Sequence, residues 1–147
     1  MTIGNWLGGR FADRSVDTTL IVTLAALTAI LIAFAFAMPY AGPTAIIILL
    51  WGIASFALVP PLQVRVMSTA ADAPNLASAM NIGAFNLGNA IGAALGGSVI
   101  AAGLDLPFVS IAGAAASAIG LIAVLISVRH ASIKRARGPA LPCKEAG

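Results

Sequence analysis

What this sequence has least of is charge. Five acidic and 8 basic residues make up only 9% of its 147 positions, against roughly 25% in soluble domains. A soluble fold of this length needs a charged, water-facing surface, and these residues cannot supply one. Histidine and cysteine occur once each, as His130 and Cys143. With no carboxylate inside the long apolar runs either, no catalytic triad, nucleophile–base pair or metal cluster can be assembled, so neither an enzyme nor a metal site is expected. A disulfide framework within one copy is excluded as well. The glycines lie in an apolar run with no following lysine, not in a phosphate-cradling loop, so no cofactor is expected. Positive charge gathers towards the C-terminus, which argues against a nucleic-acid-binding face. The N-terminus has no basic segment followed by a short apolar run, so insertion into a membrane must come from the spans themselves.

What is abundant is apolar sequence, at 60% of the chain. A bilayer core of about 30 Å takes roughly 20 helical residues to cross, and four stretches are long enough. They predict an all-α membrane bundle over residues 18–129, with spans at about 18–38, 44–67, 75–102 and 108–129. Residues 1–17 read as the last turns of a helix ended by Gly8-Gly9, then a tight loop with Arg10, Asp13, Arg14 and Asp17. Pro39, Gly42 and Pro43 make an uncharged turn, with Tyr40 at the headgroup level. Pro60 and Pro61 remove two amide donors, so a kink or helix end is expected near Val59. Asp72 is a candidate cap for a helix with Pro74 in its first turn. In the fourth span Gly113, Ala116, Gly120 and Ala123 supply small residues. Residues 130–147 form a basic tail predicted to be disordered.

The stretch on which the bundle is expected to be built is Asn81 to Gly97, NIGAFNLGNAIGAALGG. Gly88, Gly92 and Gly96, followed by Gly97, recur on nearly one face, the small-xxx-small spacing that lets membrane helices approach closely. These four are read as packing residues, with the other spans as their neighbours.

Loop charges orient the bundle. The Arg10/Arg14 loop, the Arg65 region and the Arg129–Arg137 tail fall on one side, while the Pro39–Pro43 and Gly103–Pro107 turns carry no Lys or Arg. The positive-inside rule then places both chain ends in the cytoplasm.

The pairing of GNWLGGRFADRS with the glycine helix about seventy residues on resembles the C-terminal end of major facilitator superfamily efflux proteins, with the twelve-span drug/proton antiporters of the arabinose-efflux permease type as the most similar group. That family carries a Gly-x-x-x-Asp-Arg motif in the cytoplasmic loop between the second and third helices of each half, and Gly9, Asp13 and Arg14 match it. Ser15, Val16, Asp17 and Thr18 stand where the family has further basic residues. The glycine helix resembles span eleven but lacks the Gly-Pro pair of the span-five antiporter motif. The resemblance implies that the four spans are equivalent to the last four of such a carrier, that the earlier spans are missing partners, and that Met1 is an internal methionine. It also implies a multi-pass protein of the bacterial plasma (inner) membrane, acting in proton-coupled efflux of small molecules by alternating access and inactive alone. With no membrane-embedded Asp, Glu or His here, any proton-carrying group must lie in the missing part.

Transport sites in such folds lie near the midplane. The substrate-pathway candidates are Asn81, Phe85, Asn86 and Asn89, with Gln63 beside the proline break. The competing reading is that the amides only bond neighbouring helices, at about 0.6–2 kcal/mol each. Gly9, Asp13 and Arg14 are candidates for a conformation-biasing loop, against a solvated pair worth about 0–1 kcal/mol. Arg65 is read first as a topology anchor and second as a binder of an anion or lipid head group. Trp51 and Phe56 are read as packing or lipid-facing residues. Two other classes stand beside the carrier: a self-sufficient small multidrug-type dimer, which needs a first-span glutamate that residues 18–38 lack, and a membrane scaffold without transport activity.

Overall fold

A computed structural model describes residues 2–70 and 72–136, all of them in helices or short turns. The helices are α1 (Thr2–Ala12), α2 (Val16–Ala37), α3 (Ala41–Ala57), α4 (Val59–Thr69), α5 (Pro74–Ala101) and α6 (Leu106–Ala136). Four segments are long and apolar enough to cross a membrane: α2, α3 with α4, α5, and α6 to Ile133. The 22 residues of α2 span about 33 Å, one bilayer core.

α2 is the element around which the others gather. Leu20, Leu24 and Leu27 form its buried face, and α1, α3, α4 and α6 all pack on it. Ser15 caps its N-terminus, accepting from the Thr18 amide, and Asp17 in the first turn suits the positive end of the helix dipole. Where α2 meets α6, Gly113 leaves room for Leu31 and Gly120 for Leu24. Between them Thr28 Oγ1 donates to the Leu24 carbonyl of its own helix and shares a 3.1 Å hydrogen bond with Ser117 Oγ. Ala116 and Ala123, the other two small residues noted in this span, are exposed.

α1 and α3 approach closely through glycine. A side chain on Gly4 would stand 2.5 Å from the Ile53 carbonyl oxygen and 2.8 Å from Phe56 Cβ. On Gly8 it would overlap the Ala57 backbone, reaching its carbonyl carbon at 2.8 Å. Gly4, Gly8 and Ala12 are the buried residues of α1. Gly8-Gly9 therefore do not end the helix. They lie within it, because packing on α3 stabilises a helix that glycine alone would weaken.

Several boundaries differ from the sequence reading. The turn before α3 shrinks to residues 38–40, and Gly42 and Pro43 enter the first helical turn, where proline costs no hydrogen bond. Thr44 Oγ1 ties the turn by donating to the Ala37 carbonyl at 2.8 Å. The proline break agrees with the expectation near Val59: it falls at Leu58, with Pro60 and Pro61 in the first turn of α4. Asp72 is not a cap: Ala73 occupies that position and makes no side-chain bond, which leaves Asp72 one residue too early. α5 closes in a Schellman turn, Gly103 N–H to the Ile100 carbonyl and Leu104 N–H to that of Val99. Gly103 has φ +74° there, a conformation glycine adopts without strain. α6 continues past Arg129 to Ala136, so the first seven residues of the expected tail are helical, and residues 137–147 lie outside the described ones.

The largest correction concerns α5. Among the described residues it packs only on α4 and α6, and Gly88, Gly92 and Gly97 meet nothing within 4 Å. Gly96 alone has a neighbour, Val109 Cγ1, at 3.5 Å from where a Cβ would lie. The glycine helix is the periphery of this bundle, not its centre. Spacing shows that a face can be approached closely; it does not name what approaches.

Candidate functional site

Two polar clusters tie α4 to its neighbours. The first joins α4 to α5. Gln63 Nε2 donates to Ser78 Oγ at 2.9 Å, and Asn81 Nδ2 donates to Gln63 Oε1. Asn81 is buried, a rare state for an amide unless it is paired. The break at Leu58 re-aims α4, and its proline-started first turn brings Gln63 to the α5 face that carries Ser78 and Asn81. Beside this pair an open groove of about 310 Å³ is lined by Leu62, Asn81, Ala84, Phe85, Gly88 and Asn89.

Four of the sequence-derived pathway candidates therefore come together: Gln63 and Asn81 bond directly, and Phe85 and Asn89 follow along the same groove. Asn86 does not join them. It is exposed and lies about 100° round the helix from Phe85. Gly88, read as a packing residue, forms part of the groove wall instead.

The second cluster ties α4 to α2 and α6. Arg65 Nη1 pairs with Asp17 Oδ1, and Arg65 Nη2 donates to Ser127 Oγ at 2.9 Å. Arg65 is a three-helix tie, a role the anchor reading missed. Opposite charges at helix ends on one side of the bundle were the available signal. Asp13 and Arg14, the loop-motif pair, both stand exposed in the α1–α2 turn. That turn is held by backbone bonds from Asp13 N–H to the Gly9 carbonyl and from Arg14 N–H to that of Phe11. Among the described residues, the ion pair of this region is made by Asp17, four positions further on.

Four apolar helical segments of spanning length, with polar groups held between helices, define an integral, all-α, multi-pass membrane protein. The inner membrane transport protein YdhP of Escherichia coli (strain K12) is 52% identical over 129 residues, 88% of this chain and 33% of that protein. The uncharacterized MFS-type transporter YfhI of Bacillus subtilis (strain 168) is 35% identical over 95 residues, 63% of this chain and 23% of YfhI. A probable sugar efflux transporter of Helicobacter pylori (strain P12) is 40% identical over 87 residues, 59% of this chain and 21% of its own length. No family model and no solved structure matches. Over the residues matched, the chain belongs to the major facilitator superfamily of transporters. It spans about a third of the length of YdhP.

Proposed function

We propose that this chain is the C-terminal part of a secondary-active efflux carrier, exporting small molecules such as sugars or drugs by alternating access. The observation that carries the reading is the Gln63–Asn81 pair beside the Phe85–Asn89 groove, in a chain half identical to an inner membrane transport protein. Amides within a bilayer helix are functional candidates, because they need partners and can exchange them for a polar substrate. In this reading Asn81, Phe85 and Asn89 line the pathway, with Gln63 as the partner that holds Asn81 when no substrate is present. Gly9, Asp13 and Arg14 form the loop that biases the conformations.

In this reading the protein sits in the bacterial inner membrane with both chain ends cytoplasmic. The Arg65 tie supports this, since it gathers the α1–α2 turn and the ends of α4 and α6 on one side, where the basic residues concentrate. Proton coupling requires an acidic group from spans beyond these four, which are also the partners that complete the carrier. Alone, the 147-residue chain does not transport. Proteoliposomes test both halves of the claim. The isolated chain is expected to give no proton-driven sugar or drug flux, and a full-length form is expected to lose flux on Asn81→Leu and keep it on Asn86→Leu. Flux unaffected by Asn81→Leu removes the pathway assignment.

A scaffold without transport activity is the second reading. The open Gly88–Gly92–Gly97 face of α5 favours it, because such a face suits a partner helix. Thermal stabilisation of the full-length form by substrate decides against it.

A further inference from the structure

A second, half-open cavity lies apart from the polar groove, between α2, α3 and α6. It has a volume of about 260 Å³, and its walls include Leu31, Phe34, Ile48 and Trp51. Its one lining hydroxyl is that of Ser110. Ser110 is only 6% exposed, yet among the described residues its hydroxyl makes no hydrogen bond. Two other hydroxyls of these helices behave differently: Thr28 on α2 and Ser132 on α6 each donate to the carbonyl one turn back. No fully sealed side-chain oxygen among the described residues lacks a partner, so the Ser110 hydroxyl opens into the space it lines.

Three features describe what would fill that space. An apolar cavity of about 150 Å³ is enough to bind benzene, so this one takes a somewhat larger molecule. Its aromatic and branched aliphatic walls favour an apolar body and exclude charge. The single hydroxyl can both donate and accept one bond, which asks for one polar group on the ligand. Depth agrees with this. Ser110 lies one turn inside α6 and Phe34 one turn before the end of α2, within about 5–10 Å of the helix ends. An amphipathic ring with one polar group settles at that level of a bilayer. We propose that this cavity is a lateral binding site, separate from the polar groove, for a small uncharged phenol or alcohol that enters from the membrane and bonds to Ser110.

The test uses the 147-residue chain in bilayer nanodiscs, with Trp6→Phe leaving Trp51 as the sole tryptophan and 4-bromophenol as a heavy-atom quencher. Saturable quenching of Trp51 is expected, with bromobenzene, which lacks the hydroxyl, binding about fivefold more weakly. Ser110→Ala should weaken 4-bromophenol by the same factor and leave bromobenzene unchanged. Ile48→Phe, which narrows the space from a half-exposed position, should reduce both. Linear, unsaturable quenching that no variant alters would mean mere partitioning and overturns the proposal. Quenching by phospholipids with brominated acyl chains that unbrominated phenol fails to relieve overturns it too, because the occupant is then a lipid tail. The comparison of the two quenchers on the unmutated cavity keeps the test decisive if Ser110→Ala fails to fold.

Discussion

Arg65 on α4 and Asp17 in the first turn of α2, 48 positions apart, form an ion pair. Arg65 is largely covered and Asp17 half exposed, and the second arm of the guanidinium reaches Ser127 of α6. An exposed pair contributes about 0–1 kcal/mol. Here one side chain also joins three helices, so Arg65→Ala is expected to lower stability by about 1 kcal/mol. Arg65→Lys should recover only part of this, since an ammonium cannot span both partners. A double-mutant cycle with Asp17→Asn, read by denaturant unfolding in micelles, should show coupling of at least about 0.5 kcal/mol. Additive losses would reduce the tie to a surface contact with no energetic role.

Gly8 and Gly9 are neighbours with opposite surroundings. A methyl group on Gly8 would overlap the Ala57 backbone, whereas one on Gly9 would meet nothing within 4 Å. Gly8→Ala should therefore destabilise by about 1–3 kcal/mol through overpacking. Gly9→Ala should be neutral or stabilising by up to about 1 kcal/mol, the usual gain of alanine within a helix. Unfolding midpoints of the two variants check this, and equal effects would mean that α1 does not pack on α3 as described.

The Gln63–Asn81 pair is expected to be the costly polar contact to break. Asn81→Leu leaves the Gln63 amide short of a partner, at about 1–2 kcal/mol. Asn86→Leu and Asn89→Leu touch exposed positions and should change stability by less than about 0.5 kcal/mol. The comparison separates two meanings of an intramembrane asparagine. Asn81 has a structural partner in this chain; a loss of transport on altering Asn89, at unchanged stability, would mark a contact with substrate.

How much of this was legible beforehand depended on whether the signal was local. The four spans were visible because a charge-free run of about 20 residues is what a bilayer core demands and what a soluble helix avoids. The break near Val59 was visible because proline acts within its own turn. The groove candidates were half visible: residue type and helical spacing selected Asn81, Phe85 and Asn89, but not that Asn81 would bond Gln63. Arg65 with Asp17, and Gly8 with Ala57, are contacts between distant parts of the chain, and no pattern around either residue announces them. Gly4-x-x-x-Gly8 had the same small-residue spacing as the α5 glycines. Its partner helix is present in this chain, while most of the α5 glycine face has none among the described residues.

Gly103 offers the cleanest test of backbone conformation. Its φ of +74° ends α5 in the left-handed region, with the Ile100 and Val99 carbonyls taking the amides of Gly103 and Leu104. Alanine there should cost about 1 kcal/mol, because a Cβ strains that conformation although no neighbouring side chain stands in its way. Gly97 is the matched control, lying within the same helix with open space around it. Gly97→Ala should be neutral or stabilising in the isolated chain, as alanine favours helix. The same change in a full-length carrier need not be neutral, because a partner helix on the α5 face would sit where the new methyl points. Measuring both variants in both forms thus reads two things: the turn from Gly103, and from Gly97 whether anything covers the glycine face. A Gly97→Ala that is harmless in both forms would leave that face to lipid and remove the packing role from it.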